Sequence, residues 1–195
     1  MSKSIQKKDS LTRPVVLIGM MGAGKTSVGR ALAALFSIPF FDADSEIEAA
    51  AGRSVAQIFT EHGEGEFRRL EAQVIARLLQ NGVCVLSVGG GAFMNFEIRN
   101  RIKKEALSIW LKVDRDILLS RVLRHGDRPL LKSSGGASGG EEVRVKMARL
   151  LSEREPIYAQ ADLTVLCDDR PLAQTARRVG DACQKFCEII KDGSA

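Results

Sequence analysis

The sequence predicts an α/β fold in one compact domain, on three observations. Short apolar runs ending in glycine turns alternate with stretches whose apolar residues recur every three or four positions, the rhythm of strands and amphipathic helices. The first such unit is strand, glycine-rich turn and helix in immediate succession. At 195 residues the chain fits one domain better than two and is long enough to bury a sizeable core. Its composition, 45% hydrophobic and 27% charged with 18 glycines and 5 prolines, belongs to a folded globular chain rather than a disordered or collagenous one.

Residues 1–13, MSKSIQKKDSLTR, are polar and basic without the apolar core of a secretory signal, and read as a lead-in. Pro14–Gly19 holds the apolar run VVLI, the first strand. From about Gly24 a helix follows, TSVGRALAALF, with Val28, Leu32 and Leu35 as its expected apolar face. Ile38–Phe41 reads as a second strand that delivers Asp42 and Asp44 to the start of the helical pattern SEIEAA. Ser54–His62 is a predicted helix with Ser54 as its cap, and Glu66–Leu79 another, its stripe formed by Phe67, Leu70, Val74 and Leu78. VCVLSV before GGGA gives a third strand, and ALSIWLKV around 106–113 a fourth. Asp116–Leu123 reads as a helix, HGDRPLL as the start of a lid, and SSGGASGG at 133–140 as too rich in glycine and serine for either regular element. A helical pattern resumes at EEVRVKMARLLSER, Ala161–Leu166 supplies the last strand, and a final helix runs to about Ile190. Leu172, Ala176, Val179, Cys183, Cys187 and Ile190 are its expected buried stripe, and residues 191–195 form a tail.

Several function classes are disfavoured by composition. The 29 basic and 24 acidic residues give a formal charge of +5, but the signs are mixed along the chain, without the continuous basic footprint that nucleic acid requires. No apolar run reaches the roughly 18–20 residues of a membrane helix. The four cysteines offer neither a CxxC pair nor a zinc spacing with the two histidines, so a reducing, cytoplasmic setting is expected. His62 and His125 lack any catalytic partner motif and are expected at a turn and a helix end.

The strongest chemical signal is G-M-M-G-A-G-K-T at Gly19–Thr26, a complete GxxxxGKT phosphate loop set between a strand and a helix. Backbone amides across Gly22, Ala23 and Gly24 and on into Lys25, Thr26 and Ser27 can surround phosphate oxygens. The Lys25 ammonium can neutralise transferred charge, and the Thr26 hydroxyl can face magnesium. Nucleotide binding follows, in a switch, an ATP-driven machine or a kinase. A chain this short, without a second nucleotide-binding repeat or an obvious GTP-specificity motif, favours a small-molecule kinase.

In order along the chain, GMMGAGKT, FDADSEIEAAAGRS, EFRRLE, SVGGGA, DRPLL and SEREPIY closely resemble the shikimate kinase family, over approximately residues 15–190. The resemblance implies a three-layer α/β/α P-loop kinase fold with a central five-stranded parallel sheet. Within a single domain at 14–190 it implies a substrate-binding region at about 43–72 and a mobile lid at about 125–142. It implies transfer of the ATP γ-phosphate to the shikimate 3-hydroxyl, on the route to chorismate and aromatic amino acids, by a monomer using Mg²⁺ with no nucleic-acid or membrane partner.

Site residues carry over by the same resemblance. Asp42, with Thr26, matches the magnesium environment, and Asp44 the carboxylate that orients or deprotonates the accepting hydroxyl. Arg68 and Arg154 match the arginines that grip the shikimate carboxylate, Gly89, Gly90 and Gly91 the substrate-binding turn, and Arg128 the lid arginine near transferred phosphate. Arg124, Arg170 and Pro171 match the adenine surroundings more weakly. Structural readings stand beside these: either aspartate at a solvated helix entrance, Arg68 in an ion pair with Glu71, the three glycines as fold support. The glycine-rich SSGGASGGEE departs from the family pattern. Two other functions remain, a different small-molecule kinase such as one resembling gluconate kinase, and a nonenzymatic nucleotide-binding regulatory module.

Overall fold

The computed structural model describes residues 11–124 and 139–192. Its five strands form one sheet in the order β2-β3-β1-β4-β5, every neighbouring pair parallel. β1 (Val15–Ile18) leads to α1 (Lys25–Phe36), β2 (Phe40–Asp42), α2 (Ala43–Ala51) and α3 (Val55–Leu79). β3 (Val85–Ser87), a 3-10 turn at Ala92–Met94, α4 (Phe96–Glu105) and β4 (Leu107–Val113) follow. The chain ends through α5 (Arg115–Arg124), α6 (Gly139–Tyr158), β5 (Leu163–Cys167) and α7 (Leu172–Lys191). Helices flank the sheet, so β1 and β3 are buried along their whole length, and β1 reads as an unbroken apolar run. No helix among the described residues is long and apolar enough to cross a membrane.

Parallel strands gather their C-terminal ends on one edge of the sheet. The register sets Leu17 and Asp42 on either side of Ser87, so the turns after β1, β2 and β3 open at the same level. From β1 the chain first builds β2 and β3 to one side, then β4 and β5 to the other, and ligands favour the crevice where the order reverses.

Local chemistry explains most elements and several departures. Gly24 is left-handed (φ 85°) at the N-cap of α1, a conformation only glycine takes without strain. The expected α1 face of Val28, Leu32 and Leu35 is corrected: Leu35 is 40% exposed, and Gly29 and Ala33 are buried instead. At Gly29 a Cβ would stand 2.5 Å from the Phe40 ring, so α1 sits close on β2 there and its buried face rotates away from Leu35. Ser54 and Gln57 form a reciprocal capping box that starts α3 where the sequence placed it. The two helices expected at 54–62 and 66–79 meet at Gly63 (φ 78°, ψ 175°), a non-helical kink directly after His62.

α4 is a helix that the sequence patterning above does not assign. Its signals were Asn95, whose carboxamide accepts from the Glu97 and Ile98 amides, and Ile98 and Ile102, both buried one turn apart. Gly139 and Gly140, expected in the irregular stretch, are the first residues of α6, with Glu141 and Glu142 in the same turn favoured by the helix dipole. Residues 125–138 of the expected lid lie outside the described residues. On α7, the middle of the stripe is buried, at Ala176, Val179 and Cys183, but Leu172 and Ile190 at its ends are each 45% exposed.

All four cysteines are thiols outside any disulfide, and three are buried. Burial pushes the Cys84 and Cys167 thiols up and Cys183 to about 12. Thiolate is the reactive form, so folded protein at neutral pH is expected to label rapidly at no more than one thiol, the half-buried Cys187, and at all four after denaturation. Maleimide labelling counted by mass checks this.

Candidate active site

The phosphate loop opens from β1 as the sequence predicts. Gly19 and Gly22 are left-handed or nearly so (φ 146° and 81°), and a Cβ on Gly19 would stand 2.8 Å from the Leu111 carbonyl oxygen. Lys25, the first residue of α1, crosses its own loop: Nζ donates to the Gly19 and Met20 carbonyls at 3.0 and 3.1 Å. Beside it, the Thr26 hydroxyl donates to Asp42 Oδ2 at 2.8 Å. Asp42 also caps α2, its Oδ1 accepting from the Asp44 amide at 3.2 Å. The helix-entrance reading therefore holds for Asp42 together with its contact to the phosphate loop. Thr26 and Asp42 are hard oxygen donors at the loop's mouth and suit magnesium, which binds through one or two protein oxygens and substrate phosphates. Among the described residues no group of three or more His, Cys, Asp or Glu forms a metal cage, and phosphate-bound magnesium does not need one.

Asp44, exposed in the first turn of α2, points toward the turn after β3. A Cβ on Gly89 would stand 3.2 Å from Asp44 Oδ1 and 2.9 Å from Glu71 Oε1. One on Gly91 would lie 2.6–2.9 Å from the Arg68 guanidinium, which packs close against that position. Fold support and site formation thus coincide in this triplet, because absence of side chains is what lets Asp44, Glu71 and Arg68 converge. Arg68 Nη1 donates to Glu71 Oε2 at 2.7 Å, and Nη2 pairs with Glu64 at 3.1 Å. Arg69 faces solvent and pairs with Glu66.

Glu71 was visible in sequence only as an ion-pair partner. In the fold it is fully buried, and its Oε1 has no hydrogen-bond partner among the described residues. Burial pushes its carboxyl above the ordinary value, outweighing the Arg68 guanidinium, with the Asp44 charge adding to the rise. Burial works against the Arg68 charge, yet the Glu71 and Glu64 carboxylates hold that guanidinium above its usual value. A carboxyl raised in the folded state favours folding when protonated, and its charge opposes folding as pH climbs past the folded value. Melting temperatures of Glu71→Gln and the wild type, compared between about pH 5 and pH 8, are therefore expected to shift in the variant's favour as pH rises.

Arg154 on α6 reaches the same turn, its Nη1 3.1 Å from where a Gly90 Cβ would stand. Phosphate loop, both aspartates, Arg68, the glycine turn and Arg154 line one cavity of about 1080 Å³. On the nucleotide side, Arg170 lines it, and Pro171 is the N-cap of α7 next to it. Arg124 is turned back on its own helix, bonding the Ser120 carbonyl and hydroxyl. Sequence reasoning missed Arg121, one turn earlier on α5. It lines the cavity and bridges the Gly22 carbonyl (3.3 Å), the Asp168 carbonyl (3.1 Å) and the Asp169 carboxylate (3.0 Å). Arg128 and His125 lie outside the described residues.

Residues 21–184 match the shikimate kinase family. The shikimate kinase of Bradyrhizobium diazoefficiens is 53% identical over 159 residues, 82% of this chain and 73% of that one. That of Cereibacter sphaeroides is 48% identical over 181 residues, 93% of this chain and 87% of its own. Among solved structures, shikimate kinase from Acinetobacter baumannii in complex with shikimate superposes with a TM-score of 0.82 at 31% identity, covering 91% of this chain and 96% of that one. A gluconokinase from Sinorhizobium meliloti reaches a TM-score of 0.59 at 17% identity, a likeness of fold alone, with 96% of this chain and 100% of that one covered. Matched through most of its length at the level of sequence and of fold, the chain belongs to the shikimate kinase family.

Proposed function

We propose that the chain transfers the γ-phosphoryl group of ATP to the 3-hydroxyl of shikimate, giving ADP and shikimate 3-phosphate. The observation that carries this reading is the convergence, on one cavity, of a phosphate loop, the exposed Asp44 carboxylate and two guanidinium groups, Arg68 and Arg154. A phosphate loop alone serves any nucleotide. An acceptor that bears both a hydroxyl and a planar carboxylate explains why two arginines stand across from it, since guanidinium groups bind carboxylates in directional pairs.

In the proposed reaction, the backbone amides of the phosphate loop and Lys25 bind the donor's phosphates. Arg68 and Arg154 hold the acceptor by its carboxylate, with the Gly89–Gly91 turn against its ring. Asp44 orients the 3-hydroxyl and takes its proton as the oxygen bonds to the γ-phosphorus, while the bond from that phosphorus to the bridging oxygen breaks and ADP leaves. Thr26 and Asp42, together with the donor's phosphates, would hold magnesium, which would supply charge neutralisation at the transferred group. Arg128 is assigned to phosphate charge stabilisation by the family resemblance, and the protein is assigned as a monomer acting in the cytoplasm.

Purified protein with MgATP and separate acceptors tests the substrate assignment. ADP release is expected with shikimate and not with gluconate. Gluconate turnover without shikimate turnover would transfer the assignment to the other kinase, and nucleotide binding with no acceptor-dependent release would leave a regulatory module.

A further inference from the structure

Tyr158 is fully buried, yet it does not serve as an apolar filler. Its ring packs beside Trp110, centroids 6.0 Å apart, and its hydroxyl donates to the Gly90 carbonyl in the acceptor turn. That hydroxyl also lies 3.9 Å from the Met20 sulfur, as does Arg154 Nη1. Arg154 and Tyr158 are four residues apart on α6 and so share one face. A Cβ on Gly90 would stand 3.1 Å from Arg154 Nη1, 3.5 Å from the Gly19 carbonyl oxygen and 3.7 Å from the Tyr158 hydroxyl. Three elements meet at this point: the exit of β1, the turn after β3 and the last turn of α6. Burial pushes the Tyr158 phenol up, only partly opposed by the Arg154 charge, which keeps the hydroxyl a donor.

We propose that Tyr158 is a positioning residue for acceptor recognition, its hydroxyl locking the last turn of α6 onto the Gly90 turn so that Arg154 is held at the cavity wall. The inference rests on the reading of Arg154 as a carboxylate ligand. A phenylalanine would fill the same volume, so packing alone does not account for the hydroxyl. A hydroxyl buried without a partner is costly, and here its partner is the backbone of the turn on the acceptor side. Met20 Sδ is a weak acceptor that cannot fix Arg154 by itself. Without the Tyr158 hydroxyl, the Gly90 carbonyl loses its donor, and the guanidinium can rotate away from the geometry that a carboxylate requires.

The test is steady-state kinetics of full-length Tyr158→Phe, varying shikimate and MgATP separately, combined with Arg154→Lys in a double-mutant cycle. Tyr158→Phe is expected to raise KM for shikimate about tenfold, the loss of one buried hydrogen bond, with KM for MgATP changed less than about twofold. If it acts through Arg154, the double variant is expected to resemble Arg154→Lys alone rather than the product of the two losses. An unchanged KM for shikimate, an equal rise in both KM values, a change confined to kcat, or multiplicative losses would each overturn the proposal. Failure of the wild type to phosphorylate shikimate would overturn the function and this inference together. An Arg154→Lys variant with wild-type KM for shikimate, in an active enzyme, would sink the carboxylate role and this inference but not the reaction. Should Tyr158→Phe not fold, replacement of Tyr158 by 4-fluorophenylalanine, which keeps a para substituent but cannot donate a hydrogen bond, is expected to raise KM for shikimate selectively by about tenfold, and an unchanged KM there overturns the proposal.

Discussion

Lys25→Ala is expected to lower kcat by roughly 10²–10³-fold while the protein remains folded. The side chain begins at the first residue of α1 and its ammonium lies over the phosphate loop, 3.0 and 3.1 Å from the Gly19 and Met20 carbonyls. Those contacts hold a positive charge where the donor's β- and γ-phosphates must sit if the loop works as its motif indicates. Truncation removes charge stabilisation that grows as the phosphoryl group separates, so the loss belongs in kcat more than in KM for shikimate. Lys25 is only half-buried, and the apolar face of α1 starts at Val28. The melting temperature is therefore expected to shift little, and kinetics on the melted-and-compared variant separate the two effects.

Asp44→Asn is expected to cost about 10²-fold or more in kcat, with KM for MgATP close to wild type. The substitution keeps size and hydrogen-bonding reach and removes the capacity to take a proton. The local helix start does not depend on that carboxylate, because Asp42 supplies the cap by accepting from the Asp44 amide. Asp44 stands exposed, aimed at the Gly89 turn, whereas Glu71, which approaches the same side of Gly89, is fully buried with its carboxyl pushed up by burial. Two neighbouring carboxylates with such different surroundings suit different tasks, an exposed one facing the acceptor and a buried one bracing Arg68. A loss in kcat below about tenfold would assign Asp44 to orientation alone.

The fold was legible because its local rules agree with its tertiary ones. VVLI, VCVLSV and LSIWLKV are largely buried and carry no helical period, and the turns after the first two hold the glycines that a close phosphate or side-chain approach demands. Where the reading slipped, tertiary contact decided. Leu35 lies on a plausible helical stripe, but Gly29 brings α1 against Phe40, and Leu35 is left exposed while Val28 and Leu32 stay buried. Leu172 and Ile190 continue the α7 period beyond the part of the helix that meets the core.

The site was legible where a motif fixes backbone and side chain together, as from Gly19 to Thr26, or where an ordered set of motifs carries a resemblance, as for Asp44, Arg68 and Arg154. Glu71 and Arg121 escaped because each works by partnership rather than by motif. The burial of Glu71 depends on Gly89 lacking a side chain, 18 residues later. Arg121 reaches across to Gly22, 99 residues earlier, and to Asp168 and Asp169 beyond β5. Nothing in the periodicity of α5 distinguishes Arg121 from Arg124.

Mass-resolved analysis of the product formed from shikimate and MgATP, with a magnesium-free control, tests the central claim most directly. One phosphoryl group is expected on shikimate, at the 3-oxygen, with one ADP formed per product and none without magnesium. Folded protein that binds nucleotide but yields no shikimate 3-phosphate would contradict it.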